Sequence, residues 1–244
     1  MITAPICEFV RRYRYSGALR MHMPGHKGAA LLGPEPLDLT EIEGADVLYH
    51  AEGIIRESEA NAAALFGAKK TVYSAEGSSL CIRAMLYLAL LYARAQHKKP
   101  VIAAGRNAHK VFMTAAALLD LDIRWIYGTE SVISCAITPA QLEDVLISEN
   151  PAAVYITSPD YLGNIADIKS LSAVCKKHGV LLLVDNAHGA YLRFLPAPMH
   201  PMQLGANICC DSAHKTLPVL TGGAYLHIAH GTPDMLAQRA ESAM

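Results

Sequence analysis

An α/β fold, with a mainly parallel sheet covered by helices on both faces, is predicted by three observations. Short, β-prone apolar runs alternate with helical patterns from about residue 70 onward, which is the signature of strand–helix–strand units. Runs such as Val180 to Val184 are continuously apolar, as strands buried on both faces must be. Polar residues of chemical interest follow several of these runs, and open parallel sheets bind ligands at the carboxyl ends of their strands.

Taken in order, the first forty residues read as irregular, with Pro24-Gly25 and Gly33-Pro34-Glu35-Pro36 marking turns. A helix follows from about Ile54 to Phe66, stopped by Gly67. Thr71-Val72-Tyr73 reads as a strand, Ser78 to Gln96 as a helix and Val101 to Ala104 as a strand. His109 to Leu119 reads as a helix and Ile123 to Tyr127 as a strand. Thr138 caps a helix with Pro139 at its first position, running to about Ile147. Val154 to Thr157 is a strand, Ile168 to His178 a helix and Val180 to Val184 a strand. A further apolar run, Ala206 to Cys210, precedes Asp211, and Gly223 to Ile228 is strand-like. The expected organisation is an N-terminal segment (1–50) and one large domain (51–244), with no repeat, low-complexity tract or Ser/Gly linker.

The chain has 244 residues, 52% of them hydrophobic and 18% charged, which implies a substantial core. Its formal net charge of −1 argues against nucleic acid as a partner, since phosphate binding needs concentrated positive charge. Arg11, Arg12 and Arg14 read as a solvated helix face. Six scattered cysteines without a C-x-x-C pair read as free thiols of a reducing compartment. No signal peptide opens the sequence, and the apolar run Ala84 to Ala95 is too short to cross a bilayer. A soluble cytoplasmic protein, with no membrane partner, is expected.

The most informative segment is Asp211-Ser212-Ala213-His214-Lys215-Thr216. It sets a lysine beside a hydroxyl and an imidazole at the end of an apolar run. A second run ends in Asp185-Asn186-Ala187-His188. Pyridoxal 5'-phosphate (PLP) chemistry needs such a pair. The lysine amine holds the aldehyde as a Schiff base, and the carboxylate keeps the pyridine nitrogen protonated so that the ring is an electron sink. The bland reading of Lys215 is a solvated loop lysine. Asp185, after five apolar residues, needs a cationic or hydrogen-bonding partner if buried, and Ala187 is small enough to let a flat ring approach. A metal-ligand role for Asp185 with His188 is the rival, but the other histidines form no known ligand spacing. Gly77-Ser78-Ser79, between a strand and a long helix, suits a phosphate; the alternative is that Ser78 or Ser79 caps the helix. His109, in a polar loop opening a helix, either stacks on a cofactor ring or is a surface histidine at a helix start. His22 and His26 bracket a Pro-Gly turn and do not make a helical zinc motif.

With these residues in view, the chain resembles the fold-type-I PLP enzymes, whose large domain is of the aspartate aminotransferase type. More narrowly, it resembles the bacterial Orn/Lys/Arg decarboxylase family. Met23-Pro24-Gly25-His26-Lys27-Gly28 is similar to the family's N-terminal string, and Leu37 to Glu41 to the segment after it. Ser74 to Met85 resembles the phosphate-cup helix start, and Arg106-Asn107-Ala108-His109-Lys110 the ring-stacking loop. Asp185-Asn186-Ala187-His188-Gly189-Ala190 and Ser212-Ala213-His214-Lys215-Thr216-Leu217-Pro218 are similar to the ring-nitrogen and lysine motifs. The resemblance implies that Lys215 carries PLP, Asp185 pairs with the ring nitrogen, and His109 and Ala187 cover the two ring faces. Ser78, Ser79, Ser212 and His214 would contact the phosphate or position the lysine. It also implies decarboxylation of lysine, arginine or ornithine to an amine of polyamine metabolism, with Lys215 or His214 returning a proton to the α-carbon. Aminotransferase or lyase chemistry on the same fold, or an inactive fragment binding a full-length partner, are the alternatives.

Two residues depart from the pattern: Asn186 replaces a common Glu and is expected to be peripheral, and Asp160 stands where a small hydroxyl residue is common. The resemblance further implies a homodimer or higher homo-oligomer, with phosphate contacts from a neighbouring subunit and a smaller C-terminal domain over the cleft. The sequence ends at Met244, soon after Lys215, and is therefore expected to be the large domain alone and not self-sufficient as an enzyme.

Overall fold

The computed structural model describes residues 3–128 and 134–244, which divide into two compact units, Met1–Leu65 and Phe66–Met244. In the first unit, helix α1 (Pro5–Arg14) occupies a stretch that the sequence presents as irregular. The residue at its N-cap is Ala4, which makes no capping bond, so the usual Ser/Thr/Asp/Asn start signal is missing. Proline in its first turn, Glu8 near its start and Arg11, Arg12 and Arg14 in its last turn suit the helix dipole, and those arginines are exposed as expected. Tyr13 bonds His22 at 2.8 Å, and His26 meets Asp38 at 3.1 Å. Asp46 accepts backbone N–H groups from Val47, Glu52, Gly53 and Ile55, anchoring the start of helix α2 (Ile54–Phe66). Burial raises its pKa, but these N–H groups outweigh that and bring it down to about 2.

The second unit alternates strand and helix. The elements are β1 (Lys70–Ser74), α3 (Gly77–Ala95), β2 (Val101–Gly105), α4 (Lys110–Leu118), β3 (Asp122–Ile126) and α5 (Pro139–Glu149). Then come β4 (Ala153–Thr157), α6 (Ile168–Lys177), β5 (Leu181–Asp185), α7 (Pro201–Leu204), β6 (Ile208–Asp211), α8 (Ala213–Thr216), β7 (Ala224–Ile228) and α9 (Asp234–Ala243). Thr138 and Gln141 form the capping box that starts α5, as the Thr-Pro sequence predicts.

One seven-stranded sheet results, in the order β1-β7-β6-β5-β4-β2-β3. β7 runs antiparallel to both β1 and β6, and the remaining pairs are parallel. Because β7 is reversed against both neighbours, β1 and β6 point the same way, and every strand except β7 ends on one rim. Strands β2, β4, β5 and β6 are buried along their whole length, so both faces of the sheet centre are covered. α3 packs with α4 and α9, while α6 packs with α5 and α7. α3 is longer than the 84–95 run. Among the described residues it is long and apolar enough to cross a membrane, but most of it is buried in this unit, as befits a core helix.

Candidate active site

The rim formed by the strand ends gathers the residues singled out by sequence. β5 ends on Asp185, which is the last strand residue and not the first loop residue, and it is buried. Its Oδ2 accepts from the Tyr155 hydroxyl at 2.9 Å, and its Oδ1 from the Ala187 N–H at 3.2 Å. The Cys210 thiol lies 3.6 Å from Oδ1; burial first, then the charge of Asp185, push that thiol well above its usual pKa, so it stays a donor. All of these donors are uncharged. A carboxylate offers about four lone-pair positions, so this one keeps capacity for a further, cationic partner.

Neighbouring β6 ends on Asp211, which is fully buried and differently served. His200 and His227 each present Nε2 to its Oδ2, at 2.9 and 3.2 Å, and the Asn186 amide donates to Oδ1 at 2.6 Å. His200 Nδ1 accepts from the Met202 N–H, which puts its donating hydrogen on Nε2; His227 donates from Nε2 because its partner there is a carboxylate, while its Nδ1 meets the Thr71 hydroxyl. Phe66 stacks on the His227 ring at 4.5 Å. Burial raises the Asp211 pKa, but the two histidines more than offset it and hold the carboxyl well below its usual range. Burial lowers the basicity of His227. The ligand atoms of His200, Cys209 and Asp211 lie within 4.8 Å of one another, a spread that a metal ion could use; the hydrogen bonds already account for their grouping. Asn186, expected to be peripheral, is instead fully buried in this network. A glutamate at 186 would set a second buried anion against Asp211.

Lys215 follows in the short helix α8, with its amine exposed and 3.1 Å from His188 Nε2. Burial first, then the Lys215 charge and His109, lower the basicity of His188, against an opposing pull from Asp185. Its buried Nδ1 faces the Pro159 carbonyl without a hydrogen bond of good geometry, and Tyr161 lies edge-on to its ring at 5.6 Å. The imidazole at the lysine amine is thus His188, which the sequence offers as a metal ligand. His214 instead donates from Nδ1 to the Gly223 carbonyl at 2.9 Å, and its ring lies beside Gly77.

Ser78 and Ser79 are not caps: the N-cap of α3 is Glu76, which makes no side-chain capping bond, and the serines occupy the first turn. Ser212 bonds Ser78 at 2.7 Å, bringing the lysine segment onto the start of a 19-residue helix. The Gly77 N–H bonds the Gly222 carbonyl, and a Cβ on Gly222 would sit 2.5 Å from the Ala75 oxygen, so that turn admits only glycine. Ser78, Ser212 and His214 therefore surround the positive end of α3. His109 caps α4 by accepting the Val111 N–H at Nδ1. Asp160 closes its own loop, accepting from Leu162, from the Asn164 backbone and from the Asn164 amide. A crevice of about 680 Å³, lined by Lys169, Lys176, Asn207 and His230 among others, lies at the opposite rim, beside the amino ends of β5 and β6, and takes no part in this cluster.

The family model for the Orn/Lys/Arg decarboxylase major domain matches residues 4–243. The chain belongs to the Orn/Lys/Arg decarboxylase family. It is 31% identical to an arginine decarboxylase of Bacillus subtilis over 93% of this chain and 48% of that one. It is 30% identical to an arginine decarboxylase of Halalkalibacterium halodurans, and 27% identical to the Bacillus subtilis protein YaaO, with similar coverage. The chain thus spans about half the length of the curated relatives it matches. Among solved structures, the Francisella novicida lysine decarboxylase LdcF superposes with a TM-score of 0.77 at 18% identity, over 99% of this chain and 37% of that one. The Escherichia coli constitutive lysine decarboxylase gives 0.73 at 19%, with the same coverage. These likenesses establish the fold of the family, a mixed α/β domain with a mostly parallel seven-stranded sheet.

Proposed function

We propose that this chain carries the cofactor site of a PLP-dependent decarboxylase acting on arginine, lysine or ornithine. The observation that carries the reading is the pairing at two neighbouring strand exits. A buried carboxylate, bonded to uncharged donors, stands at the end of β5, and an amine in contact with an imidazole follows β6. Both features fit PLP: the carboxylate matches a pyridinium, and Lys215 matches the aldehyde carbon. The hydroxyls and helix start formed by Ser78, Ser212 and α3 fit a phosphate.

Lys215 would hold the cofactor through its amine, and Asp185 would face the ring nitrogen. His109 and Ala187 would cover the ring faces, and Ser78, Ser79, Ser212 and His214 the phosphate end. Bound there, PLP supplies the electron sink for loss of CO₂ from the substrate. The chain's residues supply the rest. Asp185 provides a fixed negative charge in a dry setting, where it acts more strongly than in water. His188 Nε2, in contact with the Lys215 amine, would accept a hydrogen bond from that amine and relay a proton to or from it. His214, held on Gly223, orients the lysine turn.

The 30–31% identity to arginine decarboxylases makes arginine the first substrate to try. We further propose a cytoplasmic homo-oligomer. Tyr161, Leu162, Phe194 and Leu220 are exposed in the segments that follow β4, β5 and β6, and exposed apolar side chains suit an interface. The test is an amine-product assay with arginine, lysine and ornithine plus added PLP. One diamine or agmatine product, absent from the Lys215→Ala variant, is expected; amino-group transfer to a 2-oxo acid without CO₂ release would move the reading to an aminotransferase.

A further inference from the structure

We infer that Tyr155 is a positioning residue for Asp185: its hydroxyl fixes the carboxylate in the orientation that receives the ring nitrogen of the cofactor. This rests on the PLP reading above and names a residue that no part of the resemblance supplies.

The register places the pair. Tyr155 on β4 aligns with Leu183 on β5, and Thr157 aligns with Asp185. Side chains two apart share a face, so Tyr155 and Asp185 are diagonal neighbours across a strand pair, within reach of a long side chain. Tyr155 is fully buried in the strand AVYIT, flanked by Val154 and Ile156, and a buried phenol needs an acceptor. It finds Asp185 Oδ2 at 2.9 Å.

The ring is held from its other side as well. Phe112 of α4 packs against it at 4.4 Å, and α4 is the helix whose N-cap is His109. One helix start thus presents a candidate ring-stacking imidazole and braces the tyrosine that grips the candidate counter-charge. Burial, then the charge of Asp185, push the Tyr155 hydroxyl well above its usual pKa. The hydroxyl therefore remains a donor at every working pH. Asp185 has two other protein donors, both on Oδ1. Without Tyr155, Oδ2 has no anchor among the described residues and the carboxylate is free to turn.

A purely structural tyrosine would satisfy the same hydrogen bond, so the test must separate support of the fold from positioning. Tyr155→Phe keeps the ring and its packing on Phe112. It is compared with wild type, Asp185→Asn and the double variant in two measurements: the urea midpoint of the cofactor-free protein, and the dissociation constant for PLP read from its visible absorbance. Tyr155→Phe is expected to weaken PLP binding about tenfold, the size of one hydrogen bond to an ionised group. In the Asp185→Asn background the same change should alter binding less than about twofold, because the group to be oriented has been replaced. A lowered urea midpoint with PLP affinity within about twofold of wild type would overturn the inference and leave Tyr155 a structural residue. An equal loss of affinity in both backgrounds would overturn it too. Wild-type protein that shows no saturable PLP band would instead overturn the cofactor reading itself, a result distinct from either. Should Tyr155→Phe yield no soluble protein, Tyr155→Met, which also removes the hydroxyl, enters the same cycle and is judged by the same criteria.

Discussion

Asp185 and Asp211 end adjacent strands of one sheet, both are buried, and each has a cysteine thiol near one oxygen. Their remaining partners separate them. Asp211 is enclosed by two imidazoles and a side-chain amide, whereas Asp185 is met by a phenol and a backbone N–H. Burying a carboxylate is costly unless it is well paired. At Asp211 the protein itself supplies the partners; at Asp185 part of the pairing is left for something else. If Asp185 serves the cofactor as proposed, the difference teaches that burial alone does not mark a functional carboxylate; the character of its partners does.

The comparison can be broken by exchanging each acid for its amide. Asp211→Asn should cost stability by about 3 kcal/mol or more, because three buried donors lose an ionised acceptor. Urea denaturation measures this, and a loss under about 1 kcal/mol would mean that the network is not structural. Asp185→Asn should cost less, about 1–2 kcal/mol in the same assay, since Tyr155 can still donate to an amide oxygen and only the Ala187 N–H and the weakly donating Cys210 thiol lose their acceptor. That variant should nevertheless lose PLP-dependent turnover at least tenfold, equivalent to about 1.4 kcal/mol of transition-state stabilisation. Near-native turnover would take Asp185 out of the mechanism.

Acid sharpens the contrast. His227 has a folded pKa below its unfolded value of about 6.5. The unfolded state therefore binds the extra proton, and the contribution of His227 is complete above about pH 6.5 and is lost as pH falls towards the folded pKa. Asp211 is likewise depressed; its contribution holds above about pH 3.9 and is lost below it. The urea midpoint should be level at pH 7–8 and decline below about pH 6.5. His227→Gln should flatten the upper part of that decline. An unchanged slope would mean that His227 is not the group responsible. The smallest effect belongs to the phosphate end: Ser78→Ala should weaken PLP binding only a few-fold, about 1 kcal/mol, with the stability difference between the two acid variants unaltered.

Much of this was legible in sequence for a physical reason. Lys215, Asp185, Ser78 and His109 sit at strand exits or helix starts, and period and punctuation reveal those positions. The groups that decide what each carboxylate becomes are not local. Tyr155 and His227 reach Asp185 or Asp211 through the sheet register, and His200 reaches Asp211 from the N-cap of α7. Tyr155 left one signal, a phenol in a wholly buried strand, which must find an acceptor. Asn186 left a signal too, an amide where an acid is common, but its meaning depends on Asp211 across the sheet. Of helix α1 only the face carrying Arg11, Arg12 and Arg14 is legible; its start is not, because Ala4 supplies no cap.

The most direct measurement is where PLP attaches. Incubation of the protein with PLP, reduction with borohydride and peptide mapping should place one cofactor on Lys215, at the strand exit beside Asp185, and none should be retained by Lys215→Ala. A label on Lys27, Lys69 or Lys110, or no stable label at all, would contradict the account.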